Sequence, residues 1–430
     1  MSERMKPVLQ VALDFLNLKR AVKVAEESVA GGVDWIEVGT PLIKSEGLDS
    51  VREIKRLFPD HKIVADMKVM DTGRMEVEAA AKAGADIAIV LGVADDGTIR
   101  EAVEAGRNYG CGIMVDLMDV KDMVKRAKEV ESLGVDYVCI HLGIDQQMTG
   151  LDVISGLSKV SREINISLAV AGGINSETAV KAVNSGARVI IVGGAITKAG
   201  DAEEATRLIK NSIESGRGVE TELYKKYTDP VKAFMKVSTA NISDAMHRGG
   251  EMRGIKALTG YKMVGTAVTV RTYPGDWAKP VEAIDSAKKG DVLVIDAGGT
   301  GDAVWGELAS WSCKKKNVSG VVIDGSIRDS GDITGIKFPA FAKSVTPTAG
   351  EPRGFGEINI PITCGNIPVK PGDYVIGDSD GVVVVPKDKA VEIANRALDV
   401  MERENRIRGE IKKGSTLSKV MELGRWEKVG

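Results

Sequence analysis

The stretch Lys62-Ile63-Val64-Ala65-Asp66-Met67-Lys68-Val69-Met70-Asp71-Thr72-Gly73 decides how this chain is read. Its first four residues read as the apolar end of a buried strand, and alternation along a strand puts Asp66 and Lys68 on one face. Asp71 follows within one short loop, near enough to reach back to the same ammonium. Three charges gathered at a buried strand end are costly unless they pair or bind a ligand. The stretch is therefore a functional strand end, unless the strand reading fails and it is a surface charge run.

The same unit recurs along the chain. Apolar runs begin near Val8, Trp35, Lys62, Ile87, Cys111, Tyr137, Ser167 and Val189, a spacing of roughly 25 residues. Helical patterns at 18–30, 48–57, 75–83, 98–109 and 122–133 separate them, most ending near a glycine that suits a C-cap. Strands alternating with helices imply parallel crossovers, and eight such units predict a (β/α)8 TIM barrel over residues 1–213. A last helix at 202–213 leads into the polar, glycine-bearing run Glu214-Ser215-Gly216-Arg217-Gly218-Val219, which opens a linker at 214–231. Residues 232–430 are expected to form a second, mixed α/β domain of the swivelling β/β/α kind. Its strands are predicted near 264–271, 292–295, 318–323, 374–376 and 382–385. The Glu-, Arg- and Lys-rich run at 390–413 predicts solvated helices that pack on a neighbouring subunit.

Composition narrows the function classes. A chain of 430 residues with 43% hydrophobic and 28% charged residues and 49 glycines suits a globular protein of two domains with many tight turns. A net charge of -3 offers no overall attraction to a phosphate backbone, so nucleic acid is not expected as a partner. Cys111, Cys139, Cys313 and Cys364 lack CxxC spacing and predict reduced thiols in a cytoplasmic protein. The run Met1 to Pro7 lacks the apolar core of a secretory signal, and no long uncharged apolar stretch suggests a membrane span.

In this fold the C-terminal strand ends carry the chemistry. They present Asp14 on the first strand, Glu37 on the second, Asp66, Lys68 and Asp71 on the third, Asp116 on the fifth and His141 on the sixth. Glu37 and Asp66 come from neighbouring strands, and two converging carboxylates suit Mg²⁺ or Mn²⁺, which prefer oxygen ligands. Glu37 could instead pair with Lys68 without a metal, and His141 could be a satisfied interior histidine. Strand seven runs into Gly172-Gly173 and strand eight into Gly193-Gly194. The loops after strands seven and eight commonly bind phosphate in barrels, so a phosphorylated substrate is expected at these glycines.

These residues carry a resemblance. Residues of about 6 to 213 resemble the orotidine-monophosphate-decarboxylase superfamily, whose signature Asp-x-Lys-x-x-Asp stands here as Asp66, Lys68 and Asp71. Within it the chain looks like the 3-hexulose-6-phosphate synthases. Orotidine-phosphate decarboxylases usually carry a lysine where Glu37 stands; keto-gulonate-phosphate decarboxylases place an arginine at the position of Gly194 and a glutamate at that of Asp116. The resemblance implies a reversible, Mg²⁺-dependent aldol condensation of formaldehyde with D-ribulose 5-phosphate. It implies Glu37 and Asp66 as metal ligands, His141 as proton carrier, and Asp14, Asp116 and the two Gly-Gly pairs around the substrate. It also implies a barrel dimer in which Asp71 comes from the partner subunit; by symmetry, dimeric barrels fused to a domain whose relatives are often trimers could close as a hexamer. The alternative is a decarboxylase barrel joined to a non-catalytic module that binds an RNA-processing partner.

In the second domain, Asp296-Ala297-Gly298-Gly299-Thr300, Gly306-Glu307-Leu308-Ala309 and Gly325-Ser326-Ile327-Arg328-Asp329 place glycine-rich loops and an Arg-Asp pair after strands. Arg328 could grip a carboxylate bidentately while Asp329 holds a hydrated metal, with Glu307 and Leu308 at the adjoining helix start. Residues of about 233 to 390 resemble the family that joins 4-hydroxy-4-methyl-2-oxoglutarate aldolases with regulators of ribonuclease E activity. That resemblance implies a 2-oxo-acid site at Arg328 and Asp329, although Glu307 stands where characterised aldolases usually carry an Asp.

Overall fold

The structure, a computed structural model, describes residues 6–299, 301–421 and 423. The N-terminal run up to Met5, and Thr300 of the second domain's glycine loop, lie outside the described residues. The chain divides into two compact units, one comprising residues up to Gln147, Leu151–Lys226 and Glu402 onward, the other Met148–Gly150 and Tyr227–Met401.

The first unit is the expected barrel. Its strands β1 (Val8–Leu13), β2 (Trp35–Val38), β3 (Lys62–Val69), β4 (Ile87–Leu91), β5 (Gly112–Asp116), β6 (Tyr137–His141), β7 (Ser167–Ala171) and β8 (Val189–Val192) close in sequence order, each parallel to its neighbours. Inward-facing residues such as Trp35, Ile89, Met114 and Ile191 fill the interior, while Leu9, Ile36, Ile63 and Ile190 pack outward beneath the helices. This division follows from the period of two along each strand and leaves only the C-terminal strand ends to carry polar groups. Helices begin where side chains cap them: Asn17 accepts from the Arg20 N–H ahead of Leu18–Ala30, and Asp201 from the Glu204 N–H ahead of Ala202–Ser215.

Three expectations need revision. The β3–β4 register shifts between Ala65 and Val69, and Lys68 takes φ +46°, so Asp66 and Lys68 are not related by simple alternation. Asp71 does not reach back to Lys68 within one chain: it is exposed, and its carboxylate accepts the Thr72 N–H instead. The C-terminal run is not a set of solvated helices. It forms one helix, Ala390–Lys412, with Asn395, Glu402 and Arg406 buried, and its residues from Glu402 belong to the barrel unit rather than to a domain running on to residue 430.

The second unit is a mixed α/β domain. Its strands are β9 (Lys256–Ala257), β10 (Met263–Arg271), β11 (Asp291–Asp296), β12 (Gly320–Ile327), β13 (Ala340–Val345), β14 (Glu357–Ile358), β15 (Ile362–Cys364), β16 (Ile367–Val369), β17 (Tyr374–Asp378) and β18 (Gly381–Val385). The main sheet runs β18-β17-β10-β11-β12-β13-β9, with β14 paired to β10; β10 through β13 are mutually parallel, and β9, β17 and β18 pair antiparallel. β13, absent from the predicted strands, extends the parallel set, and Arg328 and Asp329 directly follow the end of β12. A ligand site at the carboxyl ends of parallel strands is the usual arrangement of such sheets.

Candidate active site

The carboxyl ends of β1, β2, β3, β5 and β6 bring Asp14, Glu37, Asp66, Lys68, Asp116 and His141 together. The Lys68 ammonium lies 3.1 Å from one oxygen of Asp66 and 3.2 Å from Oδ2 of Asp116. That same Asp116 oxygen stands 2.7 Å from Nδ1 of His141, and Asp116 Oδ1 accepts the Met118 N–H. A continuous polar chain therefore runs from Asp66 through Lys68 and Asp116 to the imidazole. Glu37, Asp66 and Asp116 are all buried, and Asp14 stands at the open mouth.

Charge balance shapes the ionisation of this cluster. Burial, then repulsion from Asp66 and Asp14, pushes the Glu37 carboxyl well above its ordinary range, with Lys68 and Gln10 opposing the shift. Asp14 is reached by solvent but hemmed in by the barrel rim, and that lost hydration together with the Asp66 charge raises its pKa. Burial alone would lower the Lys68 ammonium; Asp66, Asp116 and Glu37 outweigh it and hold the ammonium charged. Asp116 is buried too, yet His141, Lys68 and the Met118 N–H hold it below the ordinary carboxylate range. Four carboxylates thus share the Lys68 ammonium and the His141 imidazole, with Lys198 acting on Asp14 from further out.

Among the described residues, no group of three or more His, Cys, Asp and Glu side chains could by itself hold a metal ion. The donor set nevertheless suits a divalent cation bound by two carboxylates plus substrate oxygens and water.

Sequence reasoning missed several partners. Gln10 is fully buried and donates from Nε2 to Glu37 Oε2 at 2.5 Å, fixing that carboxylate from below. Its signal was legible, since Gln10 and Asp14 are four apart on one face of an otherwise apolar strand. Thr40, just past β2, hydrogen-bonds through Oγ1 to Asp66 Oδ2 at 2.7 Å. Gly39 makes room for Asp14, because a Cβ there would lie 2.3 Å from its Oδ1. At the other side of the mouth Gly172 and Gly173 have φ of +100° and +72°, and a Cβ at Gly193 would stand 3.7 Å from Asp14 Oδ2. The β8 double-glycine loop therefore adjoins Asp14, and the β7 loop begins beside His141, which pairs with Ala171.

In the second unit Asp329 Oδ2 accepts the Glu307 N–H at 3.1 Å and lies 3.5 Å from Arg328 Nε. Gly306 permits this approach, since a Cβ there would lie 2.6 Å from the same oxygen. The structure joins Arg328, Asp329 and the backbone of Glu307, while Leu308 points outward, 77% exposed.

The family described as "Orotidine 5'-phosphate decarboxylase / HUMPS family" matches residues 7–209, and that described as "RraA-like: Aldolase/RraA" matches residues 239–384. A 3-hexulose-6-phosphate synthase of Bacillus subtilis (strain 168) is 42% identical over 209 residues, 48% of this chain and 99% of that protein. The 3-hexulose-6-phosphate synthase of Mycobacterium gastri is 42% identical over 206 residues, again 48% of this chain and 99% of its own length. A crystal structure of 3-hexulose-6-phosphate synthase from Salmonella typhimurium shares 37% identity, covering 49% of this chain and 100% of that one, with a TM-score of 0.47. The family model and the two synthase sequences, each matched over nearly its whole length, make the chain a member of the orotidine 5'-phosphate decarboxylase/HUMPS family, through a closed barrel akin to the 3-hexulose-6-phosphate synthases.

Proposed function

We propose that the barrel is a 3-hexulose-6-phosphate synthase, condensing formaldehyde reversibly with D-ribulose 5-phosphate. The observation that carries this reading is the shared Asp116 carboxylate, 3.2 Å from the Lys68 ammonium and 2.7 Å from His141, which couples a fixed cation to a proton-carrying ring. In the forward direction carbon one of the ketopentose loses a proton, and the C–H electron pair becomes the C1–C2 double bond as the ketone oxygen takes up negative charge. Carbon one then attacks formaldehyde, a C–C bond forms, and the former aldehyde oxygen receives a proton. With Nδ1 committed to Asp116, Nε2 of His141 is the nitrogen that exchanges these protons. Lys68 lies ready to stabilise the developing oxyanion at no cost of reorganisation. Glu37 and Asp66 would hold Mg²⁺ or Mn²⁺, which when bound supplies Lewis-acid polarisation of the ketone oxygen.

The decarboxylase alternative is disfavoured at Gly194. A Cβ at this position would lie 2.1 Å from the Tyr224 ring, so the arginine of keto-gulonate-phosphate decarboxylases has no room here. Condensation of formaldehyde with ribulose 5-phosphate, assayed with and without EDTA, tests the reading. Turnover that EDTA abolishes and Mg²⁺ restores supports it; absence of any condensation product rejects it, and EDTA-insensitive turnover rejects the metal.

Asp71 is exposed beside Met70 and Met75, which supports a barrel dimer in which it serves the partner's site. For the second unit the reading is a 2-oxo-acid site, with Arg328 as the carboxylate anchor at the carboxyl end of β12. Pyruvate release from oxaloacetate with Mg²⁺, lost in Arg328→Ala, is the matching test.

A further inference from the structure

The barrel does not end where its relatives do. The family match stops at residue 209, and an alignment of 209 residues already covers 99% of the Bacillus relative, yet the first unit continues through Lys226. After helix Ala202–Ser215, residues 217–226 run back past the loops that follow β7 and β8. Ser176 Oγ donates to the Val219 carbonyl at 2.8 Å, and a Cβ at Gly218 would meet the Glu177 carbonyl at 3.3 Å, which fixes the strap beside the β7 loop. Tyr224 then lies against Gly194, and its hydroxyl stands 3.3 Å from Oε1 of Gln147, the residue whose side chain borders Gly172 and Gly173.

Tyr224 is held there against its own backbone preference. It is buried, with φ +57°, a conformation that an aromatic residue rarely adopts, and its N–H donates to Glu402 Oε1 at 2.6 Å. Two ammonium groups converge on its ring, Lys226 Nζ at 4.1 Å and Lys198 Nζ at 5.2 Å from the centroid. Lys198 is also near enough to Asp14 for their charges to interact. One aromatic ring thus lies against the β8 double-glycine loop and reaches the residue bordering the β7 one, with two cations over it, of which Lys198 also feels Asp14. The glycines offer backbone donors but no charge, and a phosphate monoester is a dianion.

We propose that the strap 217–226 completes the phosphate subsite of the barrel, with the Tyr224 ring as its wall and Lys226 and Lys198 as the cations that grip the sugar phosphate. This rests on the proposed function for the position of the phosphate at the double-glycine loops. The strap would then set affinity for the phosphorylated substrate while the chemistry remains with Lys68, Asp116 and His141.

Lys226→Met keeps the aliphatic stem over the ring and removes the charge, and Lys198→Met does so for the second cation. Each is expected to raise the KM for ribulose 5-phosphate about tenfold, with a far smaller change in kcat and none in the KM for formaldehyde. Each is also expected to weaken the binding of inorganic phosphate, measured by calorimetry on the full chain, by a similar factor. Lys226→Arg should restore both. Lys128→Ala, which removes an exposed ammonium paired with Glu163 outside the strap, should change neither. If both Met variants bind inorganic phosphate as tightly as the parent chain, the strap proposal is overturned whether or not the enzyme condenses formaldehyde. If the parent chain shows no condensation yet loses phosphate binding in the Met variants, the strap subsite stands and the proposed substrate falls.

Discussion

Glu37 shows how a single residue can be placed at a cost to stability. Its carboxyl is buried beside Asp66 and Asp14, and its pKa is raised well above the ordinary range. A carboxyl with a raised folded-state pKa favours the folded chain while protonated, and that favour is lost as pH climbs from the unfolded value through the folded one. In metal-free protein the melting temperature should therefore decline with rising pH, and Glu37→Gln should flatten the decline and melt a few degrees higher near pH 8 while losing turnover. Identical pH slopes for the two proteins in EDTA would remove this account. His141 occupies the opposite position, half-buried and tied through Nδ1 to Asp116. His141→Asn should cut kcat by about 10² or more and leave the KM for ribulose 5-phosphate little changed, as steady-state kinetics will show. Both residues were legible in the sequence as polar groups at the ends of apolar strands. Gln10 could have been found from its spacing to Asp14 within an apolar strand, whereas Thr40 was harder to see, because an uncharged polar residue just past a strand carries little chemical signature until its partner is located.

At the scale of elements, β3 and the C-terminal helix carry the main lessons. Alternation along β3 predicts Asp66 and Lys68 on one face; the structure reaches the same neighbourhood by a register shift and a left-handed Lys68. The residue types announced the cluster, whereas the bulge that aims them came from pairing with β4. The helix Ala390–Lys412 looks solvent-facing from its charge alone, but charged residues can be buried where partners await them. Arg406 is nearly inaccessible, and its guanidinium bonds to Glu27 at 2.8 and 2.9 Å, to Glu410 at 3.2 Å and to the Ala199 carbonyl at 3.1 Å. Arg406→Ala leaves Glu27 without its guanidinium while Glu410 keeps Arg20 and Lys23, each at 3.4 Å, so unfolding in urea should show a loss of about 1 to 2 kcal/mol, below the full cost for a completely buried pair. A loss below about 0.5 kcal/mol, the usual range for surface substitutions, would mean the cluster is incidental.

For the whole molecule, the two units have separate hydrophobic cores, and no helix among the described residues is long and apolar enough to cross a membrane. The four cysteines are free and buried, in keeping with thiols used as small hydrophobes. The proposed barrel dimer rests on Asp71, which is exposed and accepts the Thr72 N–H rather than reaching its own Lys68. Met70 is 53% and Met75 65% exposed beside it. On the proposed dimer, a charge introduced by Met75→Glu is expected to lower the molar mass seen in sedimentation and to reduce kcat together, because the proposal has Asp71 serve the partner's site. A parent chain that sediments as a fully active monomer would contradict this.

The sequence by itself determined the barrel, the second α/β unit and the charged strand ends of the active site. Periodicity and residue type are local properties, and an apolar strand that ends in a carboxylate is recognisable wherever it lies. Only the tertiary structure decided that Gln10 braces Glu37, that Asp71 turns outward, that Arg406 is buried, and that Tyr224 lies on Gly194. These arrangements join residues as far apart as Glu27 and Arg406, and a contact across that separation is fixed by packing and charge pairing rather than by any short-range pattern.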